Sequence, residues 1–300
     1  MKTRLLPIFI AASFFGSCKK DDKAPEPPKE FIQVQQVDFS DGILNFYYND
    51  QHQLSKADIL YHAGEGNPPV LSAYIAWTYQ DGFPTKAEVF NKSGSNFRKT
   101  MELHYKADAQ KRIAYVAQGR LSENSSMQWG DTTDFAFNAS NKLISTRNRE
   151  EGEEATIYSY DNNGNYKGEN ELTTEENNTY EYKYEHQYDN NTNPLSVNGL
   201  GITLFSIFRG ELFDVPQVLS SNNPLLAKSV YLRKTLDDNG QPTYTYQITS
   251  TREYTNTLDE NGGLKQVNIK SSNESKENGT VTNSSSNNAL FKFTCIKKQQ

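Results

Sequence analysis

Between residues 179 and 188 the chain reads TYEYKYEHQY: Tyr180, Tyr182 and Tyr184 fall on one side, Glu181, Lys183 and Glu185 on the other. Period two is the side-chain period of a β-strand. The same short alternation recurs along the chain, each time followed by a polar loop rich in Asn, Asp and Gly and then by an apolar or proline restart. NFYYNDQHQLSKADI places Phe46, Tyr48 and Leu54; DFAFNASNKLIS places Phe135, Phe137 and Leu143; IYSYDNNGNYKGE places Tyr158, Tyr160 and Tyr166. Further copies anchor at Tyr79, Tyr188, Leu236 and Leu258, with a weaker one near Tyr105. In most copies the restart lies six residues after the anchor. A held loop length keeps the same face of both flanking strands toward the core. Asn-Gly at 163–164, 239–240 and 261–262 supplies the positive φ that tight hairpins need. Anchor intervals run from about 22 to almost 50 residues, too uneven for a solenoid. The expected fold is all-β: a single large antiparallel meander sheet, curved into a half-barrel or barrel-like form.

One mature stretch breaks the pattern. NGLGITLFSIFRGELF (198–213) is the most apolar segment after the N-terminus and fits neither period cleanly, so it is read as a short helix plugging an open end of the sheet. LSSNNPLLAK after it reads as loop. The polar run SSNESKENGTVTNSSSNN (271–288) predicts a poorly ordered last hairpin.

The N-terminus has its own logic. Lys2 and Arg4 precede an apolar run, Leu5 to Phe15, which is too short to span a bilayer at roughly 20 residues. Gly16 and Ser17 then precede Cys18. This is the layout of a lipoprotein signal, cut before Cys18, whose thiol and amine take acyl chains. Several chains anchor firmly where one alone is marginal. Lys19, Lys20, Asp21 and Asp22 resemble the Lys-plus-acid signal that sends Bacteroidetes lipoproteins to the outer face of the outer membrane. KAPEPPKE (23–30) is proline-rich and charged, a spacer by composition. The expected division is a signal peptide over 1–17, a lipidated cysteine and tether over 18–30, a β domain over 31–295 and a tail over 296–300.

Charge narrows the partners. Lys and Arg number 31 against 37 acids; without Lys2 and Arg4 the balance is 29 against 37, a mature net charge near −8. Nucleic-acid binding wants a basic face, so it is set aside. With Cys18 lipidated, Cys295 stands alone, in the alternating LFKFTCIKK, as a buried strand residue and not a reactive thiol. Tyrosine (18), phenylalanine (16) and about 30 asparagines make this a strand-and-turn composition.

Two features together resemble a known family. YSYDNNGNYKG is similar to tyrosine–aspartate repeats that build β meanders. YDNNTNPL, then SSNNPLLAKSV and YTYQI, resemble a Bacteroidetes lipoprotein family of unknown function that pairs an Asn-Pro motif with a later Asn-Asn-Pro. The resemblance covers about 31 to 295 and implies a porin-like β domain on the outer membrane; it implies no activity. Pro194 is followed by Leu195, where the family pattern has an aromatic. A transmembrane barrel carries a continuous apolar outer band, whereas the outward positions here are Glu, Lys, Asn, Thr and Gln. The sheet is therefore expected to be porin-like but not membrane-spanning.

His52, His62, His104 and His186 are far apart, so no metal site is expected. DNNGNYKGENEL lacks the calcium loop's glycine at position six and its Glu at twelve. No nucleophile elbow, phosphate loop or His-Glu-x-x-His occurs. The carboxylates of REEGEEA read as an exposed loop, not as a glycosidase pair. No cofactor and no catalytic residue is expected. Exposed aromatics remain: Trp77, in YIAWTY, reads as core, and Trp129, in SSMQWGDTT, reads as loop-borne and is the candidate ligand contact. The expectation is a non-catalytic binding module for a glycan or protein ligand. The alternatives are an envelope scaffold and, last, a polysaccharide-acting enzyme.

Overall fold

The six-residue interval has one physical cause. Each such loop opens on an Asn or Asp whose Oδ1 accepts the backbone N–H of the second and fourth residues after it. Asn49 accepts from Gln51 and Gln53, Asp108 from Gln110 and Arg112, and Asn138 from Ser140 and Lys142. Asp161 and Asp237 do the same with Asn163 and Asn165, and with Asn239 and Gln241. The third residue after each has positive φ: His52, Lys111, Asn141, Gly164 and Gly240. Anchor and restart thereby become cross-strand partners, as Tyr48↔Leu54, Phe137↔Leu143 and Leu236↔Pro242 show. This corrects the expected Asn-Gly turn, because only the glycine of 163–164 and of 239–240 is left-handed. Two-residue left-handed turns stand elsewhere, at Asp81-Gly82 and Asn278-Gly279. The Tyr79 copy is therefore a tight hairpin, not a five-residue loop.

The computed structural model describes residues 30–299, apart from 65–66, 123–125, 150–154, 169–170, 209–212 and 261. The signal sequence, Cys18, the Lys19 to Asp22 signal and the tether lie outside the described residues, as does the acidic run at 150–154. The strands are Glu30–Phe39 (β1), Gly42–Tyr48 (β2), Leu54–Tyr61 (β3), Val70–Gln80 (β4), Phe83–Ser93 (β5), Asn96–Ala107 (β6), Ile113–Leu121 (β7) and Met127–Phe137 (β8). They continue as Leu143–Asn148 (β9), Thr156–Ile157 (β10), Glu171–Glu175 (β11), Asn178–Thr192 (β12), Asn222–Leu236 (β13), Pro242–Leu258 (β14), Leu264–Glu277 (β15) and Thr280–Gln299 (β16). They form one 16-stranded antiparallel sheet in which chain neighbours are sheet neighbours, except β10 and β11, and β1 lies beside β16. The open edges are β10 and β11. Three expectations change here. Residues 222–228 are the start of β13, not loop. Residues 271–288 carry the β15–β16 ladder. The stretch from 296 ends β16, paired with β1 as far as Glu30↔Gln299.

The apolar segment is the expected plug. A 3-10 helix, Pro194–Gly199, leads into Leu200–Phe208 (α1), and Val215–Leu219 (α2) follows. The two α-helices touch closely: a Cβ at Gly201 would stand 2.1 Å from the Val218 carbonyl oxygen. Leu200, Leu204, Phe213 and Val218 share one buried cluster with Val34, Phe46, Ile75 and Leu103 of the strands. Tyr105 on β6 meets Ser206 at 3.3 Å, Phe213 packs on Phe291 of β16 at 6.1 Å, and the Tyr254 hydroxyl of β14 donates to Asp214 at 2.6 Å. The sheet thus curls around the helices. Trp77, 6% exposed, is in this core.

The Asn-Pro and Asn-Asn-Pro motifs fasten the neck of the plug. Asn193 is buried; its amide donates to the carbonyls of Gln217 and Ser220, and its Oδ1 accepts from Leu195 N. Asp189 accepts from Asn223 N and Nδ2, and Asn222 Nδ2 donates to Asn191 O. Across the seam between β9 and β12 the hairpin around Tyr160↔Tyr166 closes the turn end through side chains: Tyr160 donates to Leu143 O, and Tyr188 to Tyr166 O.

Candidate functional site

The strands are unequal, and that inequality makes the site. β16 pairs with β1 only as far as Asp38↔Lys292, yet it begins at Thr280. β12 to β16 therefore continue past the plug as a projecting wall. Cross-strand partners share a face, so the register fixes what the wall shows inward. Arg252 and Tyr254 mark the inner side, since both reach Asp214 of the plug, Arg252 Nη1 at 2.8 Å from Oδ1. His186↔Ala227↔Arg252 is one row on that side. Further from the plug the rows are Tyr184↔Ser229↔Ser250, then Tyr182↔Tyr231↔Ile248, then Tyr180↔Arg233↔Tyr246, with Tyr244 opposite Thr235. The neighbouring strands add Ser271, Asn273 and Ser275.

The inner wall is thus tyrosines among hydroxyls, amides and the guanidiniums of Arg233 and Arg252. Tyr182 and Tyr231 lie 5.0 Å apart at 46°, and Tyr182 is 38% exposed. Arg233 donates to Asn178 Oδ1, which also accepts from Thr235 Oγ1 at 3.0 Å. Burial pushes the Tyr231 and Tyr244 hydroxyls up, so they stand as neutral donors at physiological pH. Glu277, opposite Tyr246, and Glu175 of β11, opposite Asn178, bring carboxylates to this face. Among the described residues no group of three or more His, Cys, Asp or Glu is placed to hold a metal.

Deeper in, His186 has both ring nitrogens buried and unpartnered beside Tyr166, Tyr184 and Tyr188, and burial holds its pKa down. Cys295 donates its thiol toward Leu264 O at 3.4 Å, and burial pushes its pKa up to about 12. It is half-buried and packs against the core.

Trp129 is not loop-borne. It lies within β8, opposite Gly119 and 47% exposed. Its ring packs on His104 at 4.5 Å, on the outer face with Glu102. Gly119 leaves room there: a Cβ would stand 2.9 Å from the Met127 Cγ and Sδ and 3.1 Å from the indole. The sequence placed the one candidate tryptophan outside and missed the tyrosine wall inside. The signal for the wall was present in TYEYKYEHQY and TYTYQI, but the alternation alone did not tell a covered face from an open one.

No protein-family model matches the chain, and no curated protein does. Among solved structures it is similar to a porin-like protein from Bacteroides uniformis ATCC 8492, at 12% identity and TM-score 0.51, over 88% of this chain and 96% of that one. A porin-like protein from Bacteroides vulgatus ATCC 8482 is 11% identical over 87% of this chain and 98% of that one, at TM-score 0.34. The first likeness is one of fold: an all-β, porin-like antiparallel sheet that is not closed by a continuous strand ladder.

Proposed function

We propose that this is a lipid-anchored surface protein of the outer membrane whose projecting wall binds a glycan, without catalysis. The observation that carries the reading is the row of partly exposed tyrosines on the inner side of β12 to β14. A tyrosine offers a flat apolar face and a hydroxyl at low conformational cost. A sugar offers apolar C–H faces and hydroxyls in return. Serine, asparagine and Arg233 around the rings supply further hydrogen-bonding groups.

The outer face supports a sheet standing in water. Facing outward are Glu181, Lys183 and Glu185 on β12, Thr245, Gln247 and Thr249 on β14, and Asn268, Lys270 and Ser272 on β15, with Val230 and Leu232 of β13 and Leu290 of β16 among them. A transmembrane barrel is apolar outside and polar inside; this sheet is the reverse around its plug. β1 begins at the turn end, twelve residues after Cys18. Extended chain reaches about 40 Å over that length, so acylation at Cys18 holds the turn end toward the membrane and the wall away from it.

Affinity electrophoresis through a panel of polysaccharides tests the reading, with Tyr182→Ala and Tyr231→Ala beside the parent. Retardation by one glycan, lost in both variants, is the expected result. Retardation unchanged in them removes the wall as the site. The aromatic-free stretch Ser271, Asn273 and Ser275 favours the second reading, an envelope scaffold; no retardation on any glycan, with cross-links to another envelope protein, supports that one.

A further inference from the structure

The opposite, turn end holds a separate cavity of about 280 Å³. Apolar side chains line much of it, Tyr48, Tyr79, Phe83, Ile113 and Phe137 from the strand ends and Val197, Leu200 and Ile202 from the plug, with Gln33, Gln53, Asn141 and Thr203 among them. The two tyrosine hydroxyls are already used, on Val34 O at 2.6 Å and Leu54 O at 2.9 Å, so their rings alone face it. None of its described lining residues is acidic, while His52, Lys111 and Arg112 stand at it. Arg112 is committed to Asp108, Gln110 and the carbonyl of Asn138. Lys111 Nζ reaches only a neutral partner, the Asp81 carbonyl at 3.2 Å, and no carboxylate pairs with it among the described residues.

The loops add an independent sign. Each five-residue loop needs a left-handed residue at its fourth place. At Gly164 and Gly240, away from the cavity, that residue is glycine; Gly262 also has positive φ in the loop that Asp259 opens. At the cavity it is His52, Lys111 and Asn141, with φ of 59°, 59° and 60°. Glycine costs nothing there and a histidine or lysine does. Left-handed non-glycine residues also stand in the two-residue turns at Asp81, Glu176 and Asn278, but among the five-residue loops they gather at this rim, which points to side chains held for use.

We propose that this cavity binds an amphiphile with one acyl chain and a carboxylate head, the chain against the plug and the head at Lys111 and His52. The ligand is a free fatty acid, since an acyl group linked through an ester or amide carries no carboxylate. Titration calorimetry of decanoate into the full chain tests it, and binding is the expected result. Octanoate binds about sixteenfold more weakly than decanoate, about fourfold per methylene. Lys111→Gly, which suits the turn and keeps the fold, weakens decanoate about tenfold and leaves decanol unchanged. No binding of decanoate, an affinity independent of chain length, or equal loss of decanoate and decanol in Lys111→Gly overturns the proposal.

Discussion

The base of the sheet and its projecting wall are built by the same rule and end differently. In both, strands alternate, and the register carries one set of side chains inward. In the base the inward set is Val34, Leu44, Phe46, Ile75 and Leu103, each nearly inaccessible, because the plug meets it. In the wall the inward set is mostly tyrosine, serine and asparagine, with Arg233, Arg252 and Ile248, because no described element covers it. The comparison teaches that periodicity assigns a residue to a face, while a distant segment decides whether that face is core or surface.

The largest expected effect breaks the base. Leu204→Ala, at a side chain 1% exposed in α1, should cost about 2–5 kcal/mol, read from denaturant unfolding. Val281→Ala, 49% exposed on the wall, should stay within about 0.5 kcal/mol. Equal losses at the two positions would erase the distinction between filled and open halves.

Next comes the tie between the halves. Tyr254→Phe removes the hydrogen bond to Asp214 and leaves the Arg252 ion pair in place. A hydrogen bond to a charged group contributes about 1.5–3 kcal/mol, so a loss of about 2 kcal/mol is expected, with earlier hydrogen exchange in α2. A silent Tyr254→Phe would mean that the plug is held by packing alone.

His186 gives the pH dependence. Burial among tyrosines lowers its folded pKa below the unfolded value. Its neutral form is therefore the stable one in the fold. The contribution is fully present above the unfolded pKa of about 6.5 and is lost as pH falls through that value toward the folded one. Thermal melts should fall in that window, and His186→Gln should flatten the fall. A fall of the same depth in His186→Gln would place the titrating group elsewhere.

The smallest effect is a gain. His52→Gly and Lys111→Gly relieve left-handed strain and should raise stability by up to about 1 kcal/mol each, in equilibrium unfolding. The same exchange at Asn141 should do less, since asparagine tolerates this region.

Much of the fold was legible because its signals are local. Asp161 and its loop can be read from DNNGN, since one carboxylate oxygen organises five residues. The helix at 200–208 was legible as an apolar break in a polar chain. The start of β13 was not: SSNNP has loop composition, and only its clasp to Asp189 and Asn193 turns it into a strand entry. Trp129 was misplaced for a similar reason. Gly130 beside it suggested a loop, while the glycine that matters is Gly119 across the ladder. The tyrosines of β12 were assigned to the correct face, and their exposure depended on how far the plug extends.

The central claim is that the wall's inward tyrosines are open and are the ligand face. Iodination of tyrosines, mapped by peptide mass spectrometry with and without the retained glycan, tests it directly. The account predicts labelling of Tyr182, Tyr231, Tyr244 and Tyr246 in the free protein and their protection by the glycan, with Tyr48, Tyr79, Tyr105 and Tyr254 silent throughout. Wall tyrosines labelled equally in both samples, or labelled no more than those of the base, would contradict it.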